Sequence, residues 1–98
     1  MQIPKKITVG TKTYSIIKVK HPTRGALGVI DYQHAIIFIA SLDKRGEKLG
    51  KAEMADTFWH ELTHAILNDM GEIDLNMDER FVTRFANRLS YAIDSAKL

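Results

Sequence analysis

The spacing of apolar residues changes at Gly50, and this change restricts the folds that the chain can adopt. Before Gly50, short segments rich in β-branched residues, such as residues 6–9 and 13–19, are separated by turn residues, a pattern typical of β-strands. After Gly50, apolar residues recur at every third or fourth position, a pattern typical of amphipathic helices. A run of strands followed by a run of helices predicts an α+β domain.

Two hairpins account for the strand segments. Gly10 and Thr11 form a two-residue turn signal between the first two strands, and Gln33 and His34 lie between the last two. Because the strands of a hairpin are antiparallel, we expect a small, mostly antiparallel sheet of about four strands. The predicted strands are residues 6–9, 13–19, 26–32 and 35–41.

Two helices are predicted after the sheet. The first covers residues 51–70 and ends at Gly71, which stands where a helix C-cap glycine belongs. A short polar link separates it from a second amphipathic helix, which opens at Asp78 and Glu79 and continues to near the end of the chain. With 98 residues, of which 45% are hydrophobic, we expect a single domain over residues 1–98.

The composition excludes several kinds of protein and site. The chain contains no cysteine, which excludes disulfides and thiolate metal sites and leaves histidine and carboxylate as zinc ligands. No apolar run approaches the roughly 18 residues that a membrane span requires, so we expect no membrane partner. Residues 1–10 lack the apolar stretch of a signal peptide, and we therefore expect a cytoplasmic protein.

Charge is distributed unevenly along the chain. Residues 1–51 carry ten basic and three acidic side chains, a net charge of +7, whereas residues 52–98 carry four basic and nine acidic ones, a net charge of −5. A basic half can attract nucleic acid, but few aromatic residues are interleaved with its lysines. We therefore expect the lysines to lie on the solvent-exposed faces of strands, and nucleic acid is not the expected partner.

The segment HELTH, residues 60–64, carries the side chains of a catalytic metal site. Helical side chains advance by about 100° per residue, so His60 and His64 lie about 40° apart, one turn along the same face, and can bind one ion. Glu61 projects about 100° away from His60 and can act as general base on a water at that ion. The same residues could be ordinary polar positions of a helix, but their place in mid-helix, without proline or glycine, favours the metal site.

A catalytic zinc site needs a third protein ligand and leaves one position open for water. Both other histidines precede the segment, and a second helix that returns antiparallel can bring a carboxylate to the metal. Glu79 is favoured for its longer side chain and its place at the border of the apolar face, with Asp74 and Asp78 as alternatives. A structural role also explains Glu79, because Asn76 followed three residues later by glutamate fits a capping box.

Two segments, TFWHELTHAIL and LNMDERFVTRFANRL, resemble the small gluzincin-type metallopeptidases, including the minigluzincins and the ImmA/IrrE-like proteins frequent in phages and prophages. The similarity covers roughly residues 28–93. It implies one zinc ion per chain and Glu61 as the general base. The zinc ligands that it implies are His60, His64 and Glu79.

The resemblance also implies how a substrate binds. In that family an edge strand aligns the peptide antiparallel to itself, and residues 35–41 would fill this role. Larger gluzincins place an acidic residue one turn beyond the ligand glutamate, to orient a zinc histidine, whereas this chain has Thr83 there. Among the other residues, the candidates for polarising the scissile carbonyl are Tyr32, His34 and Tyr91, and the alternative for each is a role in the core or on the surface.

The expected function is therefore zinc-dependent hydrolysis of peptide bonds. The alternative is a latent or weakly active zinc-binding domain that acts as a partner-binding or nucleic-acid-associated regulator. Metal analysis and peptide cleavage distinguish the two.

Overall fold

The computed structural model describes residues 2–22 and 25–97, and within these ranges it contains four strands and three helices. The strands are β1 (Lys6–Val9), β2 (Lys12–Val19), β3 (Gly28–Asp31) and β4 (Ile36–Ala40), and the helices are α1 (Lys51–Met70), α2 (Ile73–Met77) and α3 (Glu79–Ser95). This order confirms the predicted α+β class. None of the helices in the described ranges combines the length and the apolar character needed to cross a bilayer.

Both predicted hairpins are present. β1 pairs antiparallel with β2 around a turn that contains Gly10, whose φ of +62° is a conformation that glycine adopts without a Cβ clash. β3 pairs antiparallel with β4, with Asp31 opposite Ile36. The local turn signals therefore predicted both pairings.

The prediction of a mostly antiparallel sheet is wrong, because a parallel pair joins the two hairpins. The strand order is β1-β2-β4-β3, and β2 runs parallel to β4, with Ser15 beside Ile36. Burial explains the order, since β4 is the most apolar strand and its central position leaves Ile37 and Ile39 0% exposed. A turn signal specifies pairing within one hairpin, but not how two hairpins dock.

The central position of β4 also contradicts the prediction that residues 35–41 form an edge strand. The backbone of β4 pairs with β2 on one side and with β3 on the other, so it offers no free edge to a peptide. Among the described residues, β1 and β3 form the edges of the sheet. Of these two edges, β3 makes the more extensive contact with α1.

Helix α1 packs against the sheet and forms the centre of the core. Its side chains Phe58 and Leu62 belong to one buried cluster with Tyr14 and Ile37 of the sheet and Ala86 of α3. Fully burying a large apolar side chain stabilises a fold by about 1.5–3 kcal/mol. This cluster therefore fixes α1 between the sheet and α3.

The link between the two predicted helices is itself partly helical. Residues Ile73–Met77 form α2, which the polar composition of the link did not indicate. Asp78 caps α3 by accepting a hydrogen bond from the backbone N–H of Phe81 at 3.1 Å. The capping-box role considered for Asn76 is therefore wrong, and its side chain contacts His64 instead.

Candidate metal centre

Three side chains converge where the start of α3 meets the middle of α1. His60 and His64 lie one turn apart on α1, with ring centroids separated by 5.0 Å. Glu79, the first residue of α3, places Oε2 3.1 Å from His60 Nε2 and Oε1 2.9 Å from His64 Nε2. One ligand atom of each residue lies within 4.8 Å of the others, so the group could hold a metal ion.

The spacing of the donor atoms fits a small divalent ion. A tetrahedral ion with bonds of about 2.0–2.1 Å separates its donor atoms by about 3.4 Å. The two histidine–glutamate distances, 3.1 Å and 2.9 Å, are close to this separation. Two imidazoles and one carboxylate supply three donors and leave a fourth position open, as in catalytic metal sites.

The alternative third ligands lie outside this group. Asp78 uses its carboxylate to cap α3, and Asp74 on α2 is not a member of the metal-binding group. Because the cap starts α3 at Glu79, the carboxylate of this residue faces the two histidines of α1. The structure therefore brings the favoured candidate to the histidines and leaves both alternatives apart from them.

A hydrogen bond from α2 orients the ring of His64. Its Nδ1 lies 2.6 Å from Asn76 Oδ1, so the proton sits on Nδ1 and is donated to the amide oxygen. The other ring nitrogen, Nε2, then presents its lone pair toward Glu79, as metal binding requires. Asn76 Nδ2 donates to the hydroxyl of Tyr32 at 3.2 Å, and that hydroxyl donates to the backbone oxygen of His64 at 3.5 Å.

Sequence reasoning missed the role of Asn76. Larger gluzincins have an acidic residue one turn beyond the ligand glutamate, whereas this chain has Thr83 there, which lines a cleft next to His60. The side chain of Asn76 reaches His64 because α2 folds back toward α1. Local sequence patterns do not predict a contact between residues 12 positions apart. The contact between Asn76 and His64 therefore could not be predicted from the sequence.

Asn76→Ala should weaken metal binding by about 10–100-fold, the usual cost of losing a group that orients a metal-bound histidine. Alanine leaves His64 Nδ1 without its acceptor, and the ring then loses its fixed tautomer and orientation. The measurement is a competition titration of the metal against a chelating dye. The matched control is Asn68→Ala, which removes an exposed asparagine from the last turn of α1. Equal affinity in both variants would contradict the assigned role.

Burial sets the protonation state of His60. Desolvation lowers the pKa of its imidazole, and this effect is larger than the opposing attraction of Glu79. The ring is therefore neutral at pH 7, the form that binds a metal ion. Its side chain is 25% exposed, so an ion can still approach from solvent.

Glu61 is buried beside the metal-binding group without being part of it. The residue is 7% exposed, and its carboxylate has no hydrogen-bond partner within residues 2–22 and 25–97. Burial raises the pKa of its carboxyl to about 7. A carboxyl group with a pKa near neutrality is suited to accepting and releasing a proton.

The edge strand β3 lies against Glu61. A Cβ atom placed on Gly28 would come within 2.9 Å of Glu61 Cγ and 2.6 Å of Thr57 Cγ2, so only glycine permits this close approach. Gly28, Thr57 and Glu61 line one cleft together with His60. This cleft, which lies between β3, α1 and α3, has a volume of about 530 Å³ and leads to the metal-binding group.

The three candidates for polarising a carbonyl are placed differently. Tyr32 lies in the hydrogen-bonded network of Asn76 and His64, and burial raises the pKa of its hydroxyl. His34 donates its backbone N–H to Asp31, and its ring Nδ1 lies 2.8 Å from the same carboxylate in the β3–β4 turn. Tyr91 is 67% exposed on α3 and does not line the cleft.

No protein-family model, curated protein or solved structure matches the chain. The membership of the gluzincin-type group therefore stays a prediction from the two quoted segments. The features that bear on function are the three residues that could hold a metal ion, the buried glutamate and the cleft.

Proposed function

We propose that the protein is a zinc-dependent peptidase whose centre comprises His60, His64, Glu79 and Glu61. The observation that carries the proposal is the position of Glu61, which is buried, carries no hydrogen-bond partner among the described residues and lines a cleft beside the three ligands. A purely structural metal site needs no such group. A hydrolytic site needs a proton acceptor there.

Zinc is the proposed ion because of the ligand set. Two histidines and one glutamate form a known type of catalytic zinc site, and the chain has no cysteine to offer. Magnesium and calcium prefer oxygen ligands throughout, so two imidazoles disfavour them. One group of this kind in the described residues gives one zinc ion per chain.

Each side chain has a distinct part in the proposed reaction. Zinc, when bound, supplies Lewis-acid polarisation of a peptide carbonyl and increases the acidity of water. Glu61 accepts a proton from the attacking water and delivers it to the leaving amine. Asn76 keeps Nε2 of His64 free to bind metal, and Gly28 allows β3 to cover Glu61.

The proposed peptide-binding strand is β3 rather than residues 35–41. Within the described residues β3 pairs only with β4, so its outer edge can accept a peptide by main-chain hydrogen bonds. Leu27 and Gly28, at the start of this edge, line the cleft that contains Glu61. A peptide along β3 would therefore pass next to the proton acceptor.

Zinc should bind at one equivalent per chain and raise the melting temperature. A ligand that binds only the folded state at 1,000 times its dissociation constant adds about 4 kcal/mol, and each 1 kcal/mol raises the melting temperature of a domain this size by about 4–8 °C. Atomic absorption and thermal unfolding, with and without chelator, measure both effects. Magnesium is the control and should change neither. A melting temperature indifferent to zinc and chelator would refute the metal site.

Cleavage of casein and of short peptides, with and without chelator, tests the activity itself. Chelator-sensitive cleavage that returns with zinc supports the peptidase. Stoichiometric zinc binding without cleavage of any of these substrates would refute it and favour the non-catalytic zinc-binding regulator.

A further inference from the structure

The cleft beside Glu61 carries acidic side chains and no basic ones. Glu53 and Asp56, from the first turns of α1, line it together with Glu61. No lysine or arginine is among the described residues that line this cleft. Its other walls include the apolar side chains of Leu27 from the β3 edge and Ala86 from α3.

The two carboxylates lie on the same side of α1 as the metal ligands. At about 100° per residue, Asp56 lies about 40° from His60 around the helix axis. Glu53 lies about 20° from His60 in the opposite direction. Along the axis, Asp56 precedes His60 by about 6 Å at a rise of 1.5 Å per residue. An extended lysine side chain, with five bonds between Cα and Nζ, spans a similar distance.

Both carboxylates are available to a cation. Glu53 Oε1 accepts a hydrogen bond from the backbone N–H of Gly50 at 3.3 Å, and Asp56 Oδ1 accepts a long one from the hydroxyl of Ser90 at 3.4 Å. Each bond occupies one oxygen and leaves the other open. Both residues are exposed, and within residues 2–22 and 25–97 neither forms a salt bridge with a lysine or arginine.

We propose that this cleft selects a lysine or arginine side chain next to the scissile bond of the substrate. The inference rests on the proposed peptidase function and adds a substrate class to it. The apolar stem of the basic side chain contacts Leu27 and Ala86, and its charged end meets Asp56 and Glu53. Glutamate at the same position is repelled, and leucine leaves both carboxylates without a positively charged partner.

The first experiment compares peptides that differ at one position only. Peptides with lysine, arginine, leucine or glutamate beside the cleaved bond are given to the zinc-loaded protein, and kcat/KM is measured for each. Lysine and arginine should exceed leucine by at least about 10-fold, which corresponds to one favourable charged contact. In a variant that combines Glu53→Gln with Asp56→Asn, the lysine-to-leucine ratio should fall toward one.

Glu72→Gln is the matched control, because it removes an exposed acid that lies just beyond the other end of α1. Its lysine-to-leucine ratio should equal that of the unmodified chain. Circular dichroism and the melting temperature show whether each variant is folded. Cleavage with no basic preference, or a preference that survives the double substitution, would overturn the inference while leaving the peptidase function intact.

Binding supplies a readout that does not depend on activity. Fluorescein-labelled hexapeptides with a central lysine, leucine or glutamate are titrated into the Glu61→Gln protein, with zinc and without it. The lysine peptide should bind at least about 10-fold tighter than the leucine peptide, and more weakly as salt increases. Equal binding of the lysine and leucine peptides would overturn the inference, whether or not the unmodified protein cleaves any peptide. Absence of cleavage by the unmodified protein would separately refute the peptidase function.

Discussion

Replacing Glu61 with glutamine should lower peptide cleavage by at least about 10²-fold, within the range that general-base catalysis supplies. Glutamine preserves the size of the side chain but cannot accept a proton. Glu61 is not among the three residues that could hold the ion, so zinc content should remain one per chain. Cleavage, zinc content and melting temperature measured on the same preparations separate the loss of chemistry from the loss of structure.

The stability of this variant is part of the expectation. Burial disfavours the charged carboxylate, as its raised pKa shows, so a neutral amide at this position should not destabilise the fold. Glu72→Gln serves as the control for a glutamate-to-glutamine change at an exposed position. Unchanged cleavage in Glu61→Gln would remove this residue from the mechanism, and lost zinc would mean that it is a ligand.

Glu79→Ala should reduce zinc affinity by more than the roughly 10–100-fold that loss of an orienting group costs. The substitution removes one of three donors and the negative charge that lies 3.1 Å and 2.9 Å from the two imidazoles. Because the side chain of Glu79 is 66% exposed, its removal should cost the metal-free protein little stability. Competition with a chelating dye measures the affinity.

Asp74→Ala is the matched control for this experiment, since it removes another exposed carboxylate from the segment between α1 and α3. Its zinc affinity should remain close to that of the unmodified chain. The opposite ranking of the two variants would identify Asp74 as the ligand and exclude the arrangement described above.

Features encoded by neighbouring residues were predictable from the sequence. Gly10 specifies a turn through its backbone freedom, and Gly71, with φ +73°, ends α1 where the sequence predicted. The spacing of His60 and His64 places both on one face of a helix because helical geometry is regular. These features need no knowledge of the remainder of the chain.

Features that depend on the docking of distant elements were not predictable. The parallel pairing of β2 with β4 follows from the burial of Ile37 and Ile39, which the turns do not encode. The contact between Asn76 and His64 requires α2. This helix has only five residues, and the spacing of its apolar residues did not predict it. The position of β3 at an edge of the sheet also depends on the strand order. For this reason β3, and not residues 35–41, is the proposed peptide-binding strand.

The central position of β4 also bears on aggregation. Residues 35–41 contain six apolar residues in succession, no charge and no proline, a composition that promotes stacking of identical strands between molecules. The sheet encloses this segment between β2 and β3 and presents edges of only four residues each, and short edges limit unwanted strand pairing. Detachment of β3 would uncover the most aggregation-prone segment of the sheet, so the strand that covers Glu61 also protects the protein from self-association.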